Sequence, residues 1–163
     1  MGIIKRCILC ALCIVFCIVM CAGCGEKTRP LSTKEITDII KSNNGTDIVW
    51  TALRSTDISA YFGFSDEKVT ELSVFINDDD EHYDIAAAFK FKTSDDMRAV
   101  IESLNKSLIA AKETFDNVNN SEATKIKNKL ILKNDNMLVV VVSNNYEKIA
   151  KELEKYNFVS IEK

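Results

Sequence analysis

After Cys24 the chain contains no cysteine, and it has a single histidine, His82. From Gly25 onward there is thus no thiol and no possible intramolecular disulfide, and any histidine acid–base chemistry must use His82. There is no Gly-x-Ser-x-Gly elbow to present an activated serine. Gly-rich phosphate loops, metal-ligand clusters, internal repeats and low-complexity tracts are missing as well. A strongly basic balance is also lacking: the formal net charge is −3. Nucleic-acid and anionic-membrane binding therefore have no electrostatic support. Hydrophobic residues make up 47 % and charged residues 28 % of the 163, the composition of one globular domain.

All six cysteines lie within the first 24 residues. Lys5 and Arg6 precede an uncharged run from Cys7 to Gly23. A basic start, an apolar middle and small residues at the end describe a secretory leader. Cys24 follows Ala22 and Gly23, whereas Cys17 and Cys21 follow Phe16 and Met20. Cys21-Ala-Gly-Cys24 resembles the bacterial lipobox Leu-Ala-Gly-Cys, with Cys21 in its tolerant apolar position. The resemblance implies cleavage before Cys24 and a diacylglyceryl group on its thiol. Two acyl chains, at about 0.8 kcal/mol per buried methylene, suffice for stable anchoring. Cys7, Cys10 and Cys13 could also be read as a doubled CxxC, but a run of continuous hydrocarbon lacks the polar support of a zinc site. An uncleaved signal anchor is the other alternative.

The expected organisation is a leader over 1–23, a lipidated tether over 24–30 and one extracytoplasmic domain over 31–163. It would stand on the outer face of the bacterial cytoplasmic membrane. Removing Lys5 and Arg6 from the 21 basic residues leaves 19 against 24 acidic, a side-chain charge of −5.

Within the domain, Ser32 and Glu35 have capping-box spacing, and Leu31 can staple onto Ile36. Ile36, Ile39 and Ile40 form an apolar face that stops at Asn43-Asn44-Gly45. A short helix is expected over Asp57 to Phe62. Leu72, Val74 and Ile76 alternate, as do Ile85, Ala87, Phe89 and Phe91, which predicts two strands joined by Asn77 to His82. Thr93 opens a long helix with Met97, Val100, Ile101, Leu104, Leu108 and Phe115 inward. Lys129–Lys133 and Met137–Ser143 predict a hairpin across Asn134-Asp-Asn136, and the unbroken apolar run of its second strand predicts a central position. Asn144 or Asn145 caps a last helix, with Tyr146, Ile149, Ala150 and Leu153 inward. The expected class is α+β, in the order α-β-β-α-β-β-α, with one antiparallel sheet of about four strands and helices mainly on one face.

The lipobox-like Cys24, Tyr61-Phe-Gly-Phe64, the Asp84–Lys90 strand, the Thr93–Phe115 helix and the late hairpin occur in one order. That order resembles a family of small Gram-positive bacterial lipoproteins defined by a domain of unknown function. The resemblance implies the location and a single domain, and it brings no catalytic residues.

Trp50, Tyr61, Phe62 and Phe64 are candidates for a ligand groove or partner patch, set against their use in closing the core. Asp78, Asp79, Asp80 and Glu81 offer hard oxygen ligands for calcium, without the ligand spacing or turn glycine of an EF-hand loop. Lys125, Lys127, Lys129 and Lys133 form a basic stretch that could touch anionic wall polymers, set against the favoured reading that it balances the acidic loop. The favoured function is a non-catalytic binding module of the cell envelope, for an envelope protein or a small extracellular ligand, with no cofactor beyond the lipid. The alternative is a small hydrolase or calcium-dependent enzyme using His82 and the acidic loop.

Overall fold

The computed structural model describes residues 29–77, 79 and 81–161. The expected leader, Cys24, Asp78 and Asp80 lie outside the described residues, and so do the expectations placed on them. The first helix, α1 (Thr33–Asn43), starts where its local chemistry dictates. The Ser32 hydroxyl accepts from the Glu35 N–H at 3.3 Å, while the Ser32 N–H donates to the Glu35 carboxylate at 2.9 Å. Arg29 also pairs with Glu35. The Arg29 guanidinium, then the Ser32 N–H and hydroxyl, hold the Glu35 carboxyl at about 2.

The remaining elements follow in order. They are β1 (Trp50–Ala52), α2 (Ile58–Phe62), β2 (Val69–Asn77), β3 (Ile85–Phe91), α3 (Ser94–Asp116), α4 (Asn120–Lys127), β4 (Leu130–Asn134), β5 (Met137–Val142), α5 (Tyr146–Glu154) and β6 (Val159–Ser160). Short 3₁₀ turns at Ser55–Asp57 and Asp66–Lys68 precede α2 and β2. All strands join one antiparallel sheet in the order β1-β2-β3-β5-β4-β6. The α+β class holds, but the sheet has six strands rather than about four. The two added strands, β1 and β6, are short edge segments of three and two residues, too brief for alternation to register.

The helices pack on both faces of the sheet, which corrects the expectation of one. Leu138, Val140 and Val142 of β5 face Leu104 and Leu108 of α3 and Ile126 of α4. Val139 and Val141 face Ile36 and Ile40 of α1 and Ile149 and Leu153 of α5. Side chains alternate across a strand, so a strand covered on both faces must be apolar at every position. Every residue of β5 is buried for that reason. Neighbouring β3 offers Ala86 and Ala88 to α1 and Phe89 and Phe91 to the opposite core. Among the described residues no helix is long and apolar enough to cross a membrane.

Gly63 ends α2 in the left-handed region, with φ of 72°. A Cβ there would stand 2.5 Å from Ser107 Oγ and 3.0 Å from the Ser103 carbonyl oxygen of α3. Gly63→Ala is expected to lose about 1 kcal/mol from backbone geometry alone. The close approach of α3 should raise that to about 2 kcal/mol or more. Urea denaturation would measure it, and an unchanged midpoint would contradict the packing described.

Candidate binding cleft

One end of the sheet gathers four connections: the segment after α1, the β2–β3 loop, α4, and the β5–α5 turn. The β2–β3 loop holds its own shape. Asn77 N–H donates to the Asp84 carbonyl at 3.0 Å, and Asn77 Nδ2 donates to Asp84 Oδ2 at 3.2 Å. Asp79 Oδ1 accepts from the Glu81 N–H at 2.8 Å, and Asp79 Oδ2 lies 3.0 Å from His82 Nδ1. The Glu81 N–H first, and His82 second, lower the Asp79 carboxyl below its ordinary range. Both oxygens of Asp79 are thus engaged within its own turn.

Beneath this loop lies a buried ion cluster. Lys125 Nζ sits 3.0 Å from Asp84 Oδ2 and 2.7 Å from Glu122 Oε2. The Lys125 side chain is 2 % exposed and each carboxylate 5 %. Glu122 also accepts from the Tyr83 N–H at 2.7 Å. The helical spacing of α4 explains how it is built: Glu122, Lys125 and Ile126 share the buried face. Lys125 is therefore not part of a solvated basic face, unlike the exposed Lys127 and Lys133.

A cavity of about 310 Å³ opens over the cluster. Asn44, Asp47 and Val49 wall one side, Asn77, Asp79 and His82 a second, and Asn144 and Asn145 a third; Asp84 and Lys125 also line it. Ser143, fully buried, donates to Asn44 Oδ1 and accepts from the Asn145 N–H at 2.8 Å. That fixes the Asn44 amide, whose Nδ2 is buried with no hydrogen-bond partner among the described residues. Asn44 is only 8 % exposed. An unpartnered buried donor costs about 1–3 kcal/mol.

Two smaller or shallower hollows continue from this one. The first, about 190 Å³, shares Asn77, Asp79, His82 and Asp84 and adds Tyr61, Tyr83 and Phe115. Tyr83 meets Phe115 edge-on at 5.7 Å, and burial pushes its phenol up to about 12. The second, about 360 Å³, shares Lys125 and Asn144 and ends at Tyr146.

The four candidate aromatics do not form one surface. Phe62 and Phe64 are core residues, their rings 5.2 and 5.3 Å from Phe89. They close the core, so they cannot line an open groove. Trp50 packs toward the α1 and α5 face instead. Only Tyr61, 37 % exposed, borders the cleft. The calcium candidates fare differently again: Glu81 is exposed, Asp79 is engaged as described, and no group of three or more His, Cys, Asp or Glu among the described residues is arranged for a metal ion. His82 is half-exposed, and neither hollow it lines carries a serine, threonine or cysteine.

Sequence reading missed Asn44, Asp84, Glu122, Lys125, Asn144 and Asn145. Two signals were present. Asp84 heads the apolar run Ile85–Phe89, and Glu122 and Lys125 fall on the same helical face as Ile126. Family models, curated proteins and solved structures yield no match to this chain, and the cleft itself carries the functional reading.

Proposed function

We propose that this chain is a lipid-anchored, extracytoplasmic binding module that holds a small polar ligand in the cleft over Asp84, Glu122 and Lys125. The observation that carries the reading is the coincidence of that cavity with the buried ion cluster below it. A buried ion pair is often no more stable than apolar packing of the same volume, so its retention calls for another role. Here it supplies a rigid, charged floor under a concave wall of amides, the arrangement that orients a ligand. Binding fits better than hydrolysis because the Asp79 carboxylate is engaged by its own turn and no serine, threonine or cysteine among the described residues lines either hollow with His82.

The first described residues and the cleft stand at opposite ends of α1. The described chain starts at Arg29 and Pro30, before α1, and the cleft begins at Asn44, beyond the C-terminal end of the 11-residue helix. At 1.5 Å per residue that is about 16 Å along the axis. Lipidated, ¹⁵N-labelled protein in nanodiscs, titrated with a panel of saccharides, amino acids and polyamines, should show shifts at the side-chain amides of Asn44, Asn77, Asn144 and Asn145. A panel that leaves those resonances unmoved would remove the reading. Cys24→Ala should separately abolish fatty-acid labelling.

A further inference from the structure

We infer that the ligand of this cleft is a neutral or cationic saccharide; the inference rests on the binding role proposed above. Four observations converge on it. First, the wall carries the side-chain amides of Asn44, Asn77, Asn144 and Asn145. The Asn144 and Asn145 amides each offer two donors and one acceptor oxygen, which matches adjacent sugar hydroxyls that both donate and accept, while Asn44 Oδ1 and Asn77 Nδ2 already have partners in the protein. The Asn144 and Asn145 side chains are exposed and make no hydrogen bond within the described residues.

Second, Asn44 Nδ2 is a buried donor without an acceptor among the described residues, on a residue that lines the cleft, so a ligand reaches it only if the Asn44 side chain turns toward the cavity. A metal cation would not satisfy it, whereas a hydroxyl or carbonyl oxygen would. Third, charge selects against anions. Asp47, Asp79 and Asp84 line the cavity and Glu122 lies just below, against one ammonium, Lys125. A phosphate or carboxylate ligand would meet this excess of like charge, while a hydroxyl or amine would not.

Fourth, the adjoining hollow places Tyr61 and Phe115 beside the amides, through the shared Asn77 and His82. A sugar ring has polar hydroxyl edges and an apolar C–H face, and an aromatic wall next to an amide wall fits both. Size agrees. About 310 Å³ holds roughly ten waters at about 30 Å³ each, comparable to one hexose with its hydroxyls, and the adjoining hollow has room for part of a second ring.

The test uses lipidated protein in nanodiscs and three probes: tri-N-acetylglucosamine, the glucosamine trimer and the galacturonate trimer. The neutral and cationic trimers are expected to bind with dissociation constants below about 1 mM, and the anionic trimer at least tenfold more weakly. Asn144→Ala with Asn145→Ala should weaken binding about tenfold at an unchanged melting temperature, because neither side chain supports the fold; Asn145 caps α5 without a side-chain hydrogen bond. Tyr61→Ala should weaken it about threefold. A monosaccharide that binds as well as the trimer would place the ligand among free sugars, and a preference for the trimer would place it among glycan chains; both support the assignment. Equal binding of the anionic trimer would overturn it. So would saccharides that leave the cleft amides unmoved while an amino acid or polyamine shifts them, an outcome that keeps the binding role and replaces the ligand class.

Discussion

Lys125→Met is expected to destabilise the domain by about 3–5 kcal/mol, the cost of leaving buried carboxylates without their cation. Asp84 and Glu122 both converge on the Lys125 ammonium, at 3.0 and 2.7 Å, with almost no access to water. Their remaining support, from Asn77 Nδ2 and the Tyr83 N–H, comes from neutral donors. With urea slopes of about 1–3 kcal/mol per molar, the midpoint should fall by at least about 1 M. The triple variant Asp84→Asn, Glu122→Gln, Lys125→Met removes all three charges together and should recover a large part of the loss. A single variant as stable as the parent would show that the cluster is not electrostatically coupled. A triple variant no better than the single would assign the loss to shape alone.

Phe89→Ala is expected to cost about 3–5 kcal/mol, the range for truncating a buried aromatic. Phe89 has no exposed surface and meets Phe62 and Phe64 in edge-on contacts, with Phe91 at 6.5 Å. The loss joins the transfer of the ring, the cavity left beside α2 and α3, and the ring–ring geometry. Phe89→Leu, which keeps most of the volume, should cost less than half as much. The single tryptophan provides a clean reporter, because Trp50 packs on the other face of the sheet. Its fluorescence transition should keep its shape and move to lower urea. A Phe89→Ala midpoint within about 0.5 kcal/mol of the parent would contradict the core described.

Several elements were legible because their causes are local. The Ser32–Glu35 box lies within four residues, and it caps α1 as its spacing implies. The α3 stripe of Met97, Val100, Leu104 and Leu108 is buried as its period requires. The run Met137–Val142 became an interior strand, since only a position covered on both faces buries every side chain. The Tyr61-Phe-Gly-Phe64 stretch was legible only in part. Its glycine turn is local, but which aromatics face water depends on where α3 and β3 lie against it.

By itself the sequence determined three of the five helices among the described residues, the four longer strands and the alternation that marks a doubly covered strand, while its order α-β-β-α-β-β-α left out α2 and α4. These follow from capping, periodicity and turn chemistry over a few residues. Tertiary structure alone decided that helices cover both faces, that short edge strands complete the sheet, and that Asp84 and Lys125, 41 residues apart, meet in one buried pair. Local rules carry no information across such separations. A carboxylate at a strand head and an ammonium on a helix become a cleft floor only when packing excludes water from both, and that exclusion belongs to the assembled chain.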